Sequence, residues 1–211
     1  MAFVPDPTPE ALELDAGTLA ALTTAERELG QLTGLLRGMG TDLNVHLLSR
    51  PFLRREAIAS SRIEGTVTTP EQLVLLEVEG GDATASGPAS ETHEVLNYME
   101  ALEHGFVRPK KLPVCVRFIK ELHAILMRGV RGDEERPGEV RTVQNFIGSS
   151  RDIREARFVP PPPSALAGCL SDLERAIHPG GDSALPRLVR LALIHYQFET
   201  IHPFRDGNGR A

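Results

Sequence analysis

The sequence predicts a mainly α fold in which helices outnumber a single β-hairpin. Apolar residues recur at three- and four-residue steps along most of the chain, which is typical of amphipathic helices. Only one stretch, between Gly138 and Pro160, changes to short β-branched and aromatic runs. The length of 211 residues allows one large domain, or one domain with a small appendage. Packed helices around one core are therefore the expected architecture.

The first two helices are predicted from a leucine pattern and from proline and glycine signals. Leucines between positions 19 and 36 share one helix face, and Gly38 should end that helix. Pro51 is predicted to open the second helix, where its missing N–H costs nothing. This helix should end at Glu64, with Gly65 in the left-handed conformation.

Two more helices are expected before residue 110. Thr69 and Gln72 flank Pro70 in the spacing of a capping box, which predicts a helix to about Glu79. Residues 80–89 are small and rich in breakers, so they predict a loop. Ser90 is predicted to cap the next helix. Its expected buried face consists of Val95, Met99, Leu102 and Phe106.

The second half predicts three helices and the hairpin. A helix should run from about Cys115 to Gly129 or Gly132. The hairpin pairs residues 140–147 with 156–159, and the four prolines after it cannot continue a ladder. Ser164 is predicted to cap the next helix. The last helix should cover residues 185–201, with Leu188, Leu191, Ile194, Phe198 and Ile201 toward the core.

Composition limits the classes of partner and compartment. A formal net charge of −6 argues against nucleic-acid binding by these residues, because such proteins neutralise phosphates with a basic surface. No secretory leader and no run of eighteen apolar residues is visible, so a cytoplasmic protein without membrane contact is expected. Cys115 and Cys169 are expected to be reduced thiols.

The segment HPFRDGNGR, residues 202–210, combines the groups that phosphate chemistry needs. Gly207 and Gly209 allow successive backbone N–H groups to point at one anion. Asn208 can orient or donate to the same anion, and Arg210 offers a planar, two-pronged cation suited to terminal phosphates. These four residues are the predicted nucleotide-binding group.

Two residues of this segment have chemical roles of their own. Asp206 is a hard oxygen ligand, and Mg²⁺ takes few protein carboxylates when substrate phosphates complete its shell. His202 has an ordinary pKa near neutrality, so it can remove a proton from an attacking hydroxyl. Alone, a His before Pro is more often a capping or core residue, and GNG is more often a turn. All nine residues at fixed spacing favour the functional interpretation.

The chain resembles the Fic family over about residues 45–211. The resemblance rests on YQFETIHPFRDGNGR, on PGEVRTVQNFIG followed by FVPPPP, and on AIASSRIEGT. It implies a helical bundle, with an N-terminal helical Fic-associated region at residues 1–110 and the catalytic core at 111–211. The hairpin would be a flap that aligns the target by main-chain pairing. Its target-positioning residues would be Asn145, Phe146, Ile147 and Gly148.

The resemblance implies a protein adenylyltransferase, which moves AMP from ATP onto a Ser, Thr or Tyr hydroxyl of a target protein. His202 would be catalytic, Asp206 would hold Mg²⁺, and ATP would be the nucleotide. A homodimer is among the expected partners. Transfer of another phosphate-containing group, removal of AMP, and a non-catalytic regulatory or binding module stay open as alternatives. The residues by themselves indicate only metal-assisted phosphate transfer.

The resemblance also implies a brake near the N-terminus. In many Fic proteins a helix of the pattern Ser/Thr-x-x-x-Glu-Gly/Asn places its Glu in the nucleotide site, and residues 60–65 fit that pattern. Glu64 is the inhibitory candidate, with Ser60 four residues earlier in a helix expected over residues 51–65. A carboxylate that pairs with the phosphate-binding arginine would displace the phosphate. The alternative is a solvated carboxylate at a helix end.

The family pattern continues beyond residue 211 with a second arginine and a further helix. We therefore expect that the sequence is part of a longer protein. Other histidines are weaker candidates: His195 is expected to be structural. His93, His104 and His123 lack metal-ligand spacing with Cys or acidic residues.

Overall fold

A computed structural model describes residues 1–39, 45–63, 65–79, 88–150, 152–180 and 184–211. Seven α-helices lie within these ranges: α1 (Ala16–Gly38), α2 (Val45–Ile63), α3 (Pro70–Glu79), α4 (Pro88–Val107), α5 (Val116–Leu126), α6 (Pro163–Ile177) and α7 (Arg187–Ile201). The mainly α prediction is confirmed. Within the same ranges, no helix is both long and apolar enough to span a bilayer.

The first helix forms as predicted, but its apolar face is not buried. Asp15 caps α1 by accepting a hydrogen bond from the Thr18 amide at 2.9 Å. No residue of α1 is buried, and Leu35 is 67% exposed. The shared leucine face of α1 therefore contributes no buried residue to the core. A period of 3.6 residues identifies an apolar face, but it does not provide the partner that covers it.

The second helix begins earlier than predicted, and Gly65 beyond its end has the predicted conformation. Because α2 starts at Val45, Pro51 lies inside the helix instead of opening it. Packing of α2 against α4 outweighs the backbone hydrogen bond that the proline cannot make. At the other end, Gly65 has a φ of +87°, and the Thr66 amide donates to the Ser61 carbonyl at 3.1 Å. The left-handed glycine is thus confirmed.

The capping box before α3 is confirmed, and the predicted cap of α4 is wrong. The Thr69 amide donates to Gln72 Oε1 at 2.9 Å, and the Gln72 amide donates to Thr69 Oγ1 at 3.3 Å. Helix α4 starts at Pro88 rather than after Ser90, because proline fits the first helical turn without loss. Val95 and Met99 of α4 are buried as expected, whereas Phe106 is exposed.

The predicted hairpin is reduced to one antiparallel pair of residues. Ile147 and Phe158 exchange both backbone hydrogen bonds, at 2.8 and 3.1 Å, and no strand forms in the described ranges. A 3₁₀ turn at Ile153–Glu155 occupies the connection. Pro160 and the prolines after it supply no amide donors, so the ladder cannot lengthen in that direction.

The last two helices form the largest core cluster together with a residue of the terminal motif. Pro162 occupies the cap position of α6, so the predicted Ser164 cap is wrong. Helix α7 starts at Arg187, and Leu191 is exposed although a core position was expected. The cluster contains Leu166, Cys169, Leu170, Leu173, Phe198, Ile201 and Phe204. The motif is therefore anchored in the core through Phe204.

Helix α4 joins the two halves of the structure. It packs against α2 and α3 on one side and against α5 on the other. The Asn97 amide of α4 donates to the carbonyls of Leu126, the last residue of α5, and of Arg128, two residues further on. Consequently α4 can connect the N-terminal helices with the residues around the terminal motif.

Candidate active site

The motif loop starts where α7 ends in the left-handed conformation. His202 has φ +48° and ψ +61°, and its amide still donates to the Phe198 carbonyl at 3.0 Å. A non-glycine residue in this region is uncommon and is held by its surroundings. The next residue, Pro203, is buried and accepts a hydrogen bond from the Arg141 amide at 2.9 Å. The backbone therefore fixes the turn that presents His202.

Phe204 and Asn208 give the loop its shape. The Phe204 ring is buried and stacks on the imidazole of His123, with ring centroids 3.7 Å apart. The Asn208 Oδ1 accepts from the Phe204 amide at 2.8 Å, and its Nδ2 donates to the Phe204 carbonyl at 2.9 Å. Both ends of the Asn208 amide thus hold the loop. Its predicted contact with a nucleotide stays a prediction.

Gly207 lies where a side chain does not fit. Its φ is +71°, and a Cβ there would overlap the sulfur of Met127 and lie 3.3 Å from His123 Nε2. Asn208–Arg210 form a 3₁₀ turn, in which Gly209 is exposed. The tight turn at Gly207 therefore sets the direction in which Arg210 leaves the loop.

His123 supports the loop from α5, a role that its sequence position does not reveal. Its Nδ1 accepts from the Gly138 amide at 2.8 Å. The proton consequently resides on Nε2, which donates to the Asp206 carbonyl at 2.9 Å. Burial lowers the pKa of His123, although the Asp206 carbonyl offsets part of that effect. His123 is therefore a neutral tether between α5 and the motif.

Arg141 is a second residue that sequence reasoning missed. Its buried guanidinium donates from Nε to the His202 carbonyl at 2.8 Å and from Nη2 to the Pro161 carbonyl at 2.6 Å. Further bonds reach the carbonyls of Val143 at 3.2 Å and Ile201 at 3.4 Å. Carbonyls at a helix end lack donors, so a buried cation stabilises them. Arg141 thus joins the end of α7 to the proline segment.

The predicted catalytic residue has the protonation state of a base. Burial lowers the pKa of His202, the Arg141 cation lowers it further, and the carbonyl of Glu199 and the Asp206 carboxylate oppose these effects. The ring is therefore neutral at pH 7. Its Nδ1 is buried and makes no hydrogen bond of regular geometry. The ring therefore lies near the Glu199 carbonyl, and its neutral form can accept a proton.

Asp206 lies at a polar cleft of about 440 Å³ between the motif and the predicted flap. Its Oδ1 accepts from the Gly207 amide at 2.8 Å. A Cβ at Gly132 would lie 2.6 Å from Asp206 Oδ2, so only glycine leaves room for this carboxylate. The lining residues are Arg131, Gly132, Glu134, Glu135, Val143, Gln144, Asn145, Phe146, Arg205 and Asp206.

The donors in the cleft fit a magnesium ion that takes most of its ligands from substrate. In the described part of the chain, no three His, Cys, Asp or Glu side chains are arranged to hold a metal ion. Glu135 is engaged by Arg205, with 2.6 Å between Nε and Oε2. Asp206 is then the carboxylate next to the motif backbone. One such oxygen ligand, with phosphate oxygens and waters, is the usual shell of Mg²⁺ at a nucleotide.

The predicted flap residues lie next to the motif. Asn145 Nδ2 donates to the Phe204 carbonyl at 3.0 Å, and Gln144 Nε2 donates to the Pro160 carbonyl at 3.0 Å. Asn145 and Phe146 line the cleft with Asp206, whereas Ile147 forms the pair with Phe158. Gly148 lies close to that segment, since a Cβ there would be 3.2 Å from the Arg157 amide. Their contact with a target stays a prediction.

Arg210 is buried and paired with a carboxylate from another helix. Its Nη1 lies 3.1 Å from Glu94 Oε2, and the side chains are 1% and 4% exposed. Of the predicted site residues that the structure describes, Asp206, Asn145 and Phe146 line the cleft together. His202 and Arg210 do not line it. The pairing partner Glu94 carries no sequence signal that distinguishes it from other helix glutamates.

The structure describes only one of the two predicted inhibitory residues. Glu64 lies outside the described residues. Ser60 is half-buried on α2, and its neighbour Ser61 is fully buried, with a hydroxyl that makes no hydrogen bond in the described structure. The inhibitory role of both Ser60 and Glu64 stays a prediction.

Comparisons with known families assign nearly the whole chain to one family in two parts. Residues 19–107 match the family described as Fic/DOC family N-terminal, and residues 113–211 match the Fic/DOC family itself. Among curated proteins, the chain is 35% identical over 101 residues to a protein adenylyltransferase Fic of Drosophila yakuba and 34% identical to that of Drosophila melanogaster. These matches cover 48% of this chain and 18% of each relative.

Solved structures share the fold. A Fic family protein from Desulfovibrio desulfuricans G20 superposes with a TM-score of 0.64 at 24% identity, covering 96% of this chain and 56% of that one. A Fic domain containing signaling protein from Bacteroides thetaiotaomicron VPI-5482 gives 0.67 at 24% identity, with 86% and 67% covered. Fic-1 from C. elegans gives 0.62 at 21% identity, with 92% and 57% covered.

Proposed function

Because the chain belongs to the Fic/DOC family, we propose that it is a protein adenylyltransferase that transfers AMP from ATP to a protein Ser, Thr or Tyr hydroxyl. The observation that carries the proposal is a half-buried, neutral His202 at the start of a loop that also holds Asp206 at a cleft. The Drosophila relatives bear the name protein adenylyltransferase, although this chain spans under a fifth of their length.

In the proposed reaction, the target hydroxyl oxygen attacks the α-phosphorus of ATP. A new oxygen–phosphorus bond forms, the bond from the α-phosphorus to the bridging oxygen breaks, and pyrophosphate leaves. The hydroxyl proton passes to the His202 imidazole, which is neutral and can accept it. The lowered pKa keeps this base available through the neutral range. Arg141 assists indirectly, because its bond to the His202 carbonyl holds the residue in its left-handed conformation.

The phosphate groups require local positive charge in a protein of net charge −6. Asp206 would hold Mg²⁺, which would neutralise developing charge on phosphate oxygens when bound. Gly207 and Gly209 would present backbone amides, Asn208 would keep the loop in shape, and Arg210 would take an oxygen of a terminal phosphate.

The flap segment would align the target by main-chain hydrogen bonds. Ile147 is already paired with Phe158 on one edge. If the segment stays extended, its neighbours Phe146 and Gly148 would offer their backbone groups to a target on the other edge. Asn145 ties the base of this segment to the motif through Phe204. A target strand added there would be placed beside the cleft that contains Asp206.

Residues 1–110 would act as a regulatory region for the core at residues 111–211. In that arrangement Ser60 of α2, together with Glu64, would oppose binding of the γ-phosphate. The left-handed Gly65 supports this proposal, since the glycine of the pattern has the conformation expected of a residue that follows a helix. A homodimer and a cytoplasmic location are also proposals, and sedimentation velocity of the purified chain tests the first.

Mass spectrometry after incubation with ATP and Mg²⁺ separates the candidate activities. We expect the chain or an added target to gain the mass of AMP. A gain of one phosphate would instead indicate a kinase, and loss of AMP from a premodified target would indicate the reverse reaction. No change for the Glu64→Gly chain, with folded protein confirmed by circular dichroism, would favour a binding module and contradict the proposal.

A further inference from the structure

A buried ion pair links the N-terminal helices to the last residues of the motif. Glu94 on α4 and Arg210 are 116 positions apart, and the carboxylate Oε2 accepts from Arg210 Nη1 at 3.1 Å. The same oxygen accepts a hydrogen bond from the Thr66 hydroxyl at 2.5 Å. The Thr66 amide in turn donates to the Ser61 carbonyl at the end of α2. Glu94 is thus held from two sides, by a neutral donor and by a cation.

The other edge of the Arg210 guanidinium is buried and has no partner. Nε and Nη2 make no hydrogen bond with any residue that the structure describes, although the side chain is 1% exposed. These two nitrogens lie on the same edge of the planar group, which is the edge that binds one oxyanion with two parallel hydrogen bonds. Buried donors without partners are costly, so a site of this kind is built for a ligand group.

We propose that Glu94 is a positioning residue for Arg210: it binds Nη1 and thereby keeps the edge formed by Nε and Nη2 open for one phosphate oxygen group of the nucleotide. This inference rests on the proposed nucleotide-binding function. Thr66 completes the arrangement, because its hydroxyl fixes the carboxylate that fixes the guanidinium. A charged residue of the N-terminal region therefore becomes part of the phosphate site without touching the phosphate.

The geometry of the ion pair favours a Glu94 that positions Arg210 over a Glu94 that competes with phosphate for Arg210. A carboxylate that competes with phosphate for an arginine would take the two-nitrogen edge, since that arrangement provides two charge-assisted bonds. Glu94 takes a single nitrogen at the other side of the group. It also supplies the counter-charge that a buried guanidinium needs when no nucleotide is present. The site can therefore remain folded and preorganised before ATP binds.

The test measures binding of two ligands by isothermal titration calorimetry with the 211-residue chain. MgATP carries the terminal phosphates that Arg210 would contact, and AMP lacks them. For Glu94→Ala we expect MgATP affinity to fall about tenfold, because a charge-assisted contact to the phosphate is no longer held in place. AMP affinity should stay within about twofold. Glu94→Gln can still accept from Nη1 and should restore most of the MgATP affinity.

A double-mutant cycle with Arg210→Ala tests whether Glu94 acts through Arg210. Once Arg210 is absent, Glu94→Ala should weaken MgATP binding no further. Thr66→Val leaves both charges in place. It should also weaken MgATP binding, but by less than Glu94→Ala does. Glu91→Gln is the matched control, because Glu91 lies one turn earlier on α4 and binds the Val67 amide at 2.8 Å. Its MgATP affinity should equal that of the unmodified chain.

The outcomes separate this inference from the function on which it rests. If Arg210→Ala binds MgATP normally, Arg210 is not a phosphate ligand and both are overturned. If Arg210→Ala weakens MgATP while Glu94→Ala leaves it unchanged or tightens it, only the positioning role is overturned. The same holds if Glu94→Ala weakens MgATP and AMP equally, or if its effect adds fully to that of Arg210→Ala, since either result indicates a merely structural role.

Discussion

Replacing Arg141 by lysine should destabilise the protein strongly, although the charge is kept. The guanidinium spans four backbone carbonyls, two at the end of α7, one in the proline run and one at Val143, and its shortest bonds go to Pro161 at 2.6 Å and His202 at 2.8 Å. An ammonium is a compact donor that cannot reach both the end of α7 and the proline run from one position. The lysine would therefore lose its contact with the end of α7 or with the proline run before α6.

The size of the effect follows from the bonds that are lost. A hydrogen bond to a charged group contributes roughly 1.5 to 3 kcal/mol, and we expect Arg141→Lys to keep one of the two short bonds and lose the other together with part of the weaker pair. The expected loss in the free energy of unfolding is therefore about 3 kcal/mol. In a chain of this length, that corresponds to a fall in Tm of roughly 6 to 12 °C.

Urea unfolding followed by circular dichroism measures the effect as a shift of the midpoint at constant slope. Arg154→Lys is the matched control, because Arg154 pairs with Asp152 on the surface and is 86% exposed. It should change the free energy of unfolding by less than about 0.5 kcal/mol. If Arg141→Lys also stays within about 1 kcal/mol of the unmodified chain, the carbonyl bonds do not stabilise this region and the reasoning is refuted.

Four further predictions concern the motif and its regulation. Gly207→Ala should lower the free energy of unfolding by roughly 1 to 3 kcal/mol, because a Cβ overlaps Met127 at a positive φ; an unchanged Tm would contradict this. Burial lowers the pKa of His202 below its usual value of about 6.5, and only the neutral ring accepts a proton. AMP transfer should therefore rise with pH through this pKa and then stay level. A rate that still increases above pH 7.5 would exclude His202 as the base. Burial of His123 and His202 should also make the fold less stable as pH falls below about 6.5, because the unfolded chain binds protons that the folded chain does not, and thermal melts between pH 7.5 and 5 measure this. Glu64→Gly should raise AMP transfer, and incorporation equal to that of the unmodified chain in a radiolabel assay would remove Glu64 as the brake.

Local sequence signals predicted the fold where the determinant is local. The reciprocal bonds of Thr69 and Gln72 and the positive φ of Gly65 depend on residues within a few positions, and both were confirmed. Pro51 was placed wrongly, because a rule for helix starts considers only the neighbouring residues. Packing of α2 against α4 extends the helix through the proline.

The candidate site was only partly predictable for a similar reason. The motif itself is contiguous, so its residue types and spacing were visible in the sequence. Its supports come from elsewhere: His123 lies 83 positions before Asp206, Arg141 lies 61 before His202, and Glu94 lies 116 before Arg210. His123 and Glu94 lie outside every motif recognised in the sequence, and Arg141 lies within PGEVRTVQNFIG without any sign there of what its guanidinium contacts. Their roles follow from buried hydrogen bonds that only the folded chain forms.

For the hairpin, the sequence predicted more regular structure than the chain forms. Residues 140–147 have the β-branched composition of a strand, yet part of their backbone forms hydrogen bonds outside any ladder. The Arg141 amide donates to the Pro203 carbonyl, and the Val143 carbonyl accepts from the Arg141 side chain. Arg141 and Asn145 direct their polar groups to the motif, which leaves Ile147 to form the one pair with Phe158. Strand propensity describes a surface that fits a sheet, and here the segment fits the motif instead.

The most direct test of the proposed function compares ATP labelled on the α-phosphate with ATP labelled on the γ-phosphate. The Glu64→Gly chain should incorporate the α-label and not the γ-label, and His202→Ala in the same background should abolish incorporation while the fold is retained. Incorporation of the γ-label, or full incorporation of the α-label without His202, would contradict AMP transfer by this site.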